Sequence, residues 1–110
     1  MLIVQKFGGS SLADLGRLRR AASLAAEARR RGSDLVVVVS AAGDSTDELI
    51  SAARRILPRP KARELDALLA TGEQRSAALM ALMLESLGAP ARSFTVSSWE
   101  DQPGDNLATE

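Results

Sequence analysis

The order of apolar and polar positions divides the chain into alternating strands and helices. Leu2-Ile3-Val4-Gln5-Lys6-Phe7 is a short, partly β-branched apolar run stopped by Gly8-Gly9, and it reads as a strand. Ser10 and Ser11 can cap a following helix, with Asp14 in its first turn, where a carboxylate suits the positive dipole end. Leu12, Leu15, Leu18, Ala22 and Ala25 then recur at three- and four-residue spacing and predict one apolar face. The helix is expected to end at Arg29-Arg30-Arg31, with Gly32 as its left-handed cap. Leu35-Val36-Val37-Val38-Val39 lacks polar alternation, which predicts a strand buried on both faces of a parallel sheet.

A loop over Ala41-Ala42-Gly43-Asp44 leads to a helix starting at Ser45 or Thr46 and running to Ile56, before Pro58 and Pro60. Residues 63–70 read as helical. Thr71-Gly72-Glu73-Gln74 reads as an interruption that opens a longer helix reaching Leu87, apolar nearly all round and expected to be largely buried. Gly88 caps it, Pro90 follows, and residues 91–96 form a third strand candidate. Strands alternating with helices predict an α/β fold, three-layered α/β/α, with right-handed crossovers and a mainly parallel sheet.

Composition narrows the chemistry. Of 110 residues, 45% are hydrophobic and 25% charged, which is globular. There is no Cys and no His, so a disulfide framework, thiolate or imidazole metal ligation and a Ser-His-Asp hydrolase are excluded. Fourteen bases balance fourteen acids. This balance and the three aromatic residues argue against a nucleic-acid or membrane-surface partner. The longest apolar run is too short to span a bilayer and no secretory signal is visible, so the cytoplasm is the expected compartment. Residues 97–110 hold four of the acids and none of the bases, so the body carries a net charge of +4. The aperiodic segment 97–110 is expected to be a flexible acidic tail to a domain spanning residues 1–96.

Three segments could carry chemistry, each a polar loop expected to open a helix, where unpaired N–H groups attract anions. Lys6-Phe7-Gly8-Gly9-Ser10-Ser11 offers two glycines for close backbone approach and a cation in an apolar strand; a tight turn with a snorkelling lysine accounts for it equally. Ser40-Ala41-Ala42-Gly43-Asp44-Ser45-Thr46 offers small residues and hydroxyls, although Ser45-x-x-Glu48 is also a complete capping box. Thr71-x-x-Gln74 is a second such box, with Glu73 placed to face an ammonium group or simply to suit a helix dipole. Arg29-Arg30-Arg31 reads as a solvated helix end, and Met80 with Met83 as core packing.

Taken together, VQKFGGSSL (Val4–Leu12), VVVVSAAGDSTDELI (Val36–Ile50), RELDALLATGEQ (Arg63–Gln74) and SAALMALMLESLGAPARSFT (Ser76–Thr95) resemble the aspartate kinases of the amino acid kinase superfamily. The resemblance implies that fold and MgATP-dependent phosphorylation of the aspartate side-chain carboxylate, the entry to lysine, threonine and methionine. It implies Lys6 as the group stabilising the transferring phosphoryl, and Gly8, Gly9 and Ser10 as the phosphate cradle. It further implies Ser40 and Thr46 as substrate contacts, Ala41 and Gly43 as residues shaping their loop, and Glu73 as partner of the substrate ammonium. Magnesium would arrive with ATP, with no metal ligand from the chain.

Ala42 replaces the family's usual Met and Ser45 its usual Thr, and the match stops after Thr95. Members of the family are much longer, so the resemblance implies the first part of a kinase domain. It has a place for ATP phosphates and none for the base, and no turnover is expected from it alone. A homo-oligomer or a complementing chain is the expected partner. The competing readings are a non-catalytic remnant or interaction module, and an amino acid kinase acting on glutamate or a carbamate.

Overall fold

In the computed structural model, residues 1–94 are described. They run β1 (Leu2–Phe7), a 3-10 turn (Gly9–Leu12), α1 (Leu15–Arg30), β2 (Asp34–Val39), α2 (Ser45–Ile56) and α3 (Ala62–Ser86). β1 and β2 pair in parallel, from Leu2 opposite Asp34 to Phe7 opposite Val39. A parallel pair needs a crossover, which α1 supplies. The fold is α/β, as the alternation of patterns predicts.

The core lies where α1 and α3 meet over one face of the sheet. Leu18, Ala21, Ala22, Ala25 and Ala26 of α1 pack with Met80 and Leu84 of α3 and with Leu12; Phe7, Leu35, Val37 and Val39 border them. Alanines on the buried face of α1 let the helices approach closely, so few atoms are needed to exclude water. The other sheet face is open among the described residues: Val4 is 59% and Val38 41% exposed. The valine run predicted burial on both faces, and only alternate positions of β2 reach the core. A strand in a pair places successive side chains on opposite faces, and the described helices leave the second face uncovered.

Other local expectations shift. Helix α1 begins later than Ser10 or Ser11 would start it. Asp14 is its N-cap, its carboxylate accepting from the Arg17 amide at 2.8 Å. Leu12 therefore sits in the 3-10 turn, buried, and Leu15, in the first turn of α1, is 67% exposed. Gly32 and Gly88 take the positive φ expected of helix-ending glycines, +97° and +82°. Helix α2 has the expected bounds.

Helix α3 is continuous through Thr71–Gln74, against the interruption read from the sequence. Its buried residues are Gly72, Ser76, Met80 and Leu84, one stripe at four-residue spacing, and Leu82 is 63% exposed. Residues 91–94 form no strand, and Thr95 and Val96 of that candidate lie outside the described residues, as do the 96/97 boundary and the acidic tail.

Candidate active site

Because Phe7 and Val39 are in register, β1 and β2 end at the same level. Their outgoing loops, Gly8–Ser11 and Ser40–Asp44, lie side by side at the carboxyl edge of the strands, where open α/β sheets bind ligands. The Gly43 amide donates to the Gly9 carbonyl at 2.8 Å, tying the loops together. Gly43 has φ +51°, a conformation that glycine adopts without strain. Gly9 is required for a different reason, since a Cβ there would stand 2.8 Å from the Ala41 carbonyl oxygen.

Helix α3 closes the arrangement from behind. Ala41 is buried, and a Cβ on Gly72 would stand 3.0 Å from its methyl group. All three segments singled out in the sequence therefore converge on Ala41. Glu73 is the next residue on α3 and is exposed. The four-residue stripe from Gly72 to Leu84 was the signal that Gly72 faces inward from a helix.

The capping readings of the two later segments do not hold. Asp44, not Ser45, precedes α2, and no side chain caps that helix; the Ser45 amide donates to the Ala42 carbonyl at 3.0 Å instead. Thr71 is inside α3, and its hydroxyl donates to the Leu68 carbonyl at 2.6 Å. The Ala- and Leu-rich sequence on both sides carries the helix through Gly72, because one interior glycine costs only about 1 kcal/mol. Glu73 thus projects from a rigid helix rather than from a loop or a helix start.

The remaining candidates take these places. Lys6 is exposed on β1, opposite Val38, and makes no ion pair among the described residues. A Cβ on Gly8 would meet nothing within 4 Å, and the Gly9 and Ser10 amides open the 3-10 turn with no backbone acceptor among the described residues. Ser40 is half-buried directly after β2, and Thr46 is exposed in the first turn of α2. Arg17 also supports the first loop, its guanidinium donating to the Ser10 carbonyl at 3.1 Å, a contact with no motif to mark it in advance. No group of three or more metal-ligating side chains gathers among the described residues.

The Arg29-Arg30-Arg31 run lies apart from these loops. Arg29 pairs with Asp34 at 2.7 Å, while Arg30 and Arg31 both hold Glu27. The hydrogen bond and charge of Arg30, with the charge of Arg31, keep the Glu27 carboxyl below its ordinary range. Met80 is buried in the core and Met83 packs against it.

A parallel strand pair thus carries two tied glycine loops at its carboxyl edge, backed by a helix on which Glu73 follows Gly72. The chain belongs to the amino acid kinase family, whose model matches residues 1–109. Within that family its similarity is to aspartokinases. It is 56% identical over 96 residues to the aspartokinase of Mycolicibacterium smegmatis, covering 87% of this chain and 23% of that protein. It is 52% identical over 93 residues to the aspartokinase of Thermus thermophilus, covering 84% and 23%. The crystal structure of aspartate kinase from Synechocystis superposes with a TM-score of 0.82 at 48% identity, over 84% of this chain and 16% of that one. The chain thus spans about a quarter of the length of the curated relatives it matches. No helix among the described residues is long and apolar enough to cross a membrane.

Proposed function

We propose that this chain is the first part of an aspartate kinase catalytic domain, carrying the phosphate cradle and part of the aspartate site. The family reaction joins one anion to another, the aspartate side-chain carboxylate to the terminal phosphoryl group of MgATP. It therefore calls for a cation and oriented N–H dipoles rather than a strong base. In this reading Lys6 supplies the cation and the amides of Gly8, Gly9 and Ser10 hold the ATP phosphates. Ser40 and Thr46 contact aspartate, Ala41 and Gly43 shape their loop, and Glu73 pairs with the substrate ammonium. Magnesium would be held through the nucleotide and would neutralise charge between the phosphates.

The observation that supports this reading best is the convergence of the two glycine loops and α3 on Ala41. Titration of the isotope-labelled chain with aspartate, and separately with MgATP, tests it. Aspartate is expected to move the amides of Ser40 and Thr46, and MgATP those of Gly8, Gly9 and Ser10. Glutamate and carbamoyl phosphate are expected to move them less. If neither ligand shifts these amides, the reading is wrong. An assay of ATP consumption with aspartate is expected to show no turnover by this chain alone.

The open sheet face favours a second reading alongside the first. Val4 and Val38 are exposed on a sheet that, among the described residues, has two strands and unpaired edges, a surface suited to association with a second copy or a complementing chain. Light scattering is expected to give a mass above that of the monomer; a strict monomer at high concentration would remove the copy from consideration.

A further inference from the structure

Ala41 is gripped from both sides. Its carbonyl oxygen lies 2.8 Å from the position a Cβ would occupy on Gly9, and its methyl 3.0 Å from the corresponding position on Gly72. Leu49 of α2 lies 3.6 Å from that second position. Gly72 is the only glycine in α3. Glycine weakens a helix interior relative to alanine, so its place here works against the helix unless the missing methyl matters to something else. What it permits is the close seating of α3 on the Ser40–Asp44 loop.

We infer that Gly72 and Ala41 are positioning residues: their contact sets the distance between Glu73 and the substrate-side loop, and the Gly9 contact carries that spacing to the phosphate-side loop. The inference rests on the proposed roles of Glu73, Ser40 and Thr46. Its magnitude follows from contact distances. Carbon atoms settle about 3.5–4.0 Å apart, so a methyl on Gly72 facing Ala41 at 3.0 Å makes helix or loop give by a few tenths of an ångström. Hydrogen bonds occupy a window of only about 0.5 Å. A ligand held by Glu73 on one side and the loop hydroxyls on the other would then have its two grips stretched toward the edge of that window. Glu73 follows Gly72 directly on the helix, so a shift of α3 at Gly72 moves the backbone from which Glu73 projects.

The test uses the full 110-residue chain with Gly72→Ala, with Ala41→Gly, and with both. Two readouts are taken: hydrogen exchange of the Gly43 amide, which donates to Gly9, and aspartate affinity from the Ser40 and Thr46 amide shifts. Gly72→Ala is expected to speed Gly43 exchange about tenfold and to weaken aspartate about fivefold or more. The double variant, which returns the room for one methyl, is expected to bring both within about twofold of the parent. Unchanged exchange in Gly72→Ala overturns the inference. Faster exchange with unchanged aspartate affinity also overturns it, reducing the contact to packing alone. If Gly72→Ala does not fold but the double variant does, the spacing argument stands; if neither folds or neither recovers, it fails. A parent chain that ignores aspartate defeats the proposed function, and the exchange readout then still decides whether the contact sets the spacing.

Discussion

Replacing Gly9 with alanine puts a methyl group into space that backbone already fills. The added carbon would stand 2.8 Å from the Ala41 carbonyl oxygen, 3.4 Å from the Gly43 nitrogen and 3.6 Å from the Gly43 oxygen. All three are main-chain atoms, so no rotamer change can relieve the clash, and the two loops must separate. Separation also stretches the 2.8 Å hydrogen bond from the Gly43 amide to the Gly9 carbonyl. Overpacking costs about 1–3 kcal/mol and a lost backbone hydrogen bond about 1 kcal/mol. The expected loss is therefore about 2–4 kcal/mol, or a melting temperature lowered by at least about 8 °C in a domain of this size.

The neighbouring glycine is the control. Gly8 has extended backbone, φ −80° and ψ 175°, and nothing within 4 Å of its would-be Cβ. Gly8→Ala is expected to leave stability unchanged or raise it by about 0.4–1 kcal/mol, because alanine restricts the unfolded chain. Calorimetric melting of the two variants beside the parent decides the matter. Equal losses at both positions, or a Gly9→Ala variant melting within about 2 °C of the parent, would refute the argument that close loop approach is what requires glycine.

Three further outcomes are expected. Asp14→Ala removes the N-cap of α1 and the acceptor of the Arg17 amide, and is expected to cost about 1 kcal/mol in urea denaturation. The Gln5 side-chain oxygen is buried with no hydrogen-bond partner among the described residues, so Gln5→Leu is expected to stabilise the fold by about 1 kcal/mol, read by the same assay. Arg30 and Arg31 hold the Glu27 carboxyl below its ordinary range. Its stabilising contribution is therefore present above that range and lost as pH falls through the depressed folded value. Glu27→Gln is expected to flatten the acid limb of the stability profile slightly, since the pair is exposed and screened.

Strands β1 and β2, the α2 bounds and the glycine-marked ends of α1 and α3 were legible because each depends on neighbours close in the chain. A β-branched run, a proline after a helix or a positive-φ glycine states its own conformation. The start of α1 was harder, because Ser10, Ser11 and Asp14 are all competent caps. Burial of Leu12 against the core goes with the 3-10 turn and leaves the role to Asp14. The apparent break at Thr71–Gln74 failed for a related reason: a capping box is a local option, and a continuous helix with a buried stripe outweighs it.

The candidate residues could be named from the chain alone, since glycine pairs, hydroxyls and lone charges in polar segments are chemical facts about the sequence. Their convergence could not. Whether Gly9, Ala41 and Gly72, tens of residues apart, touch depends on strand register and on how closely α3 seats, and neither leaves a local mark. Periodicity reports which face of an element is apolar. Only tertiary packing decides what that face meets, and here it turned a glycine read as a helix break into the point where α3 bears on the Ser40–Asp44 loop.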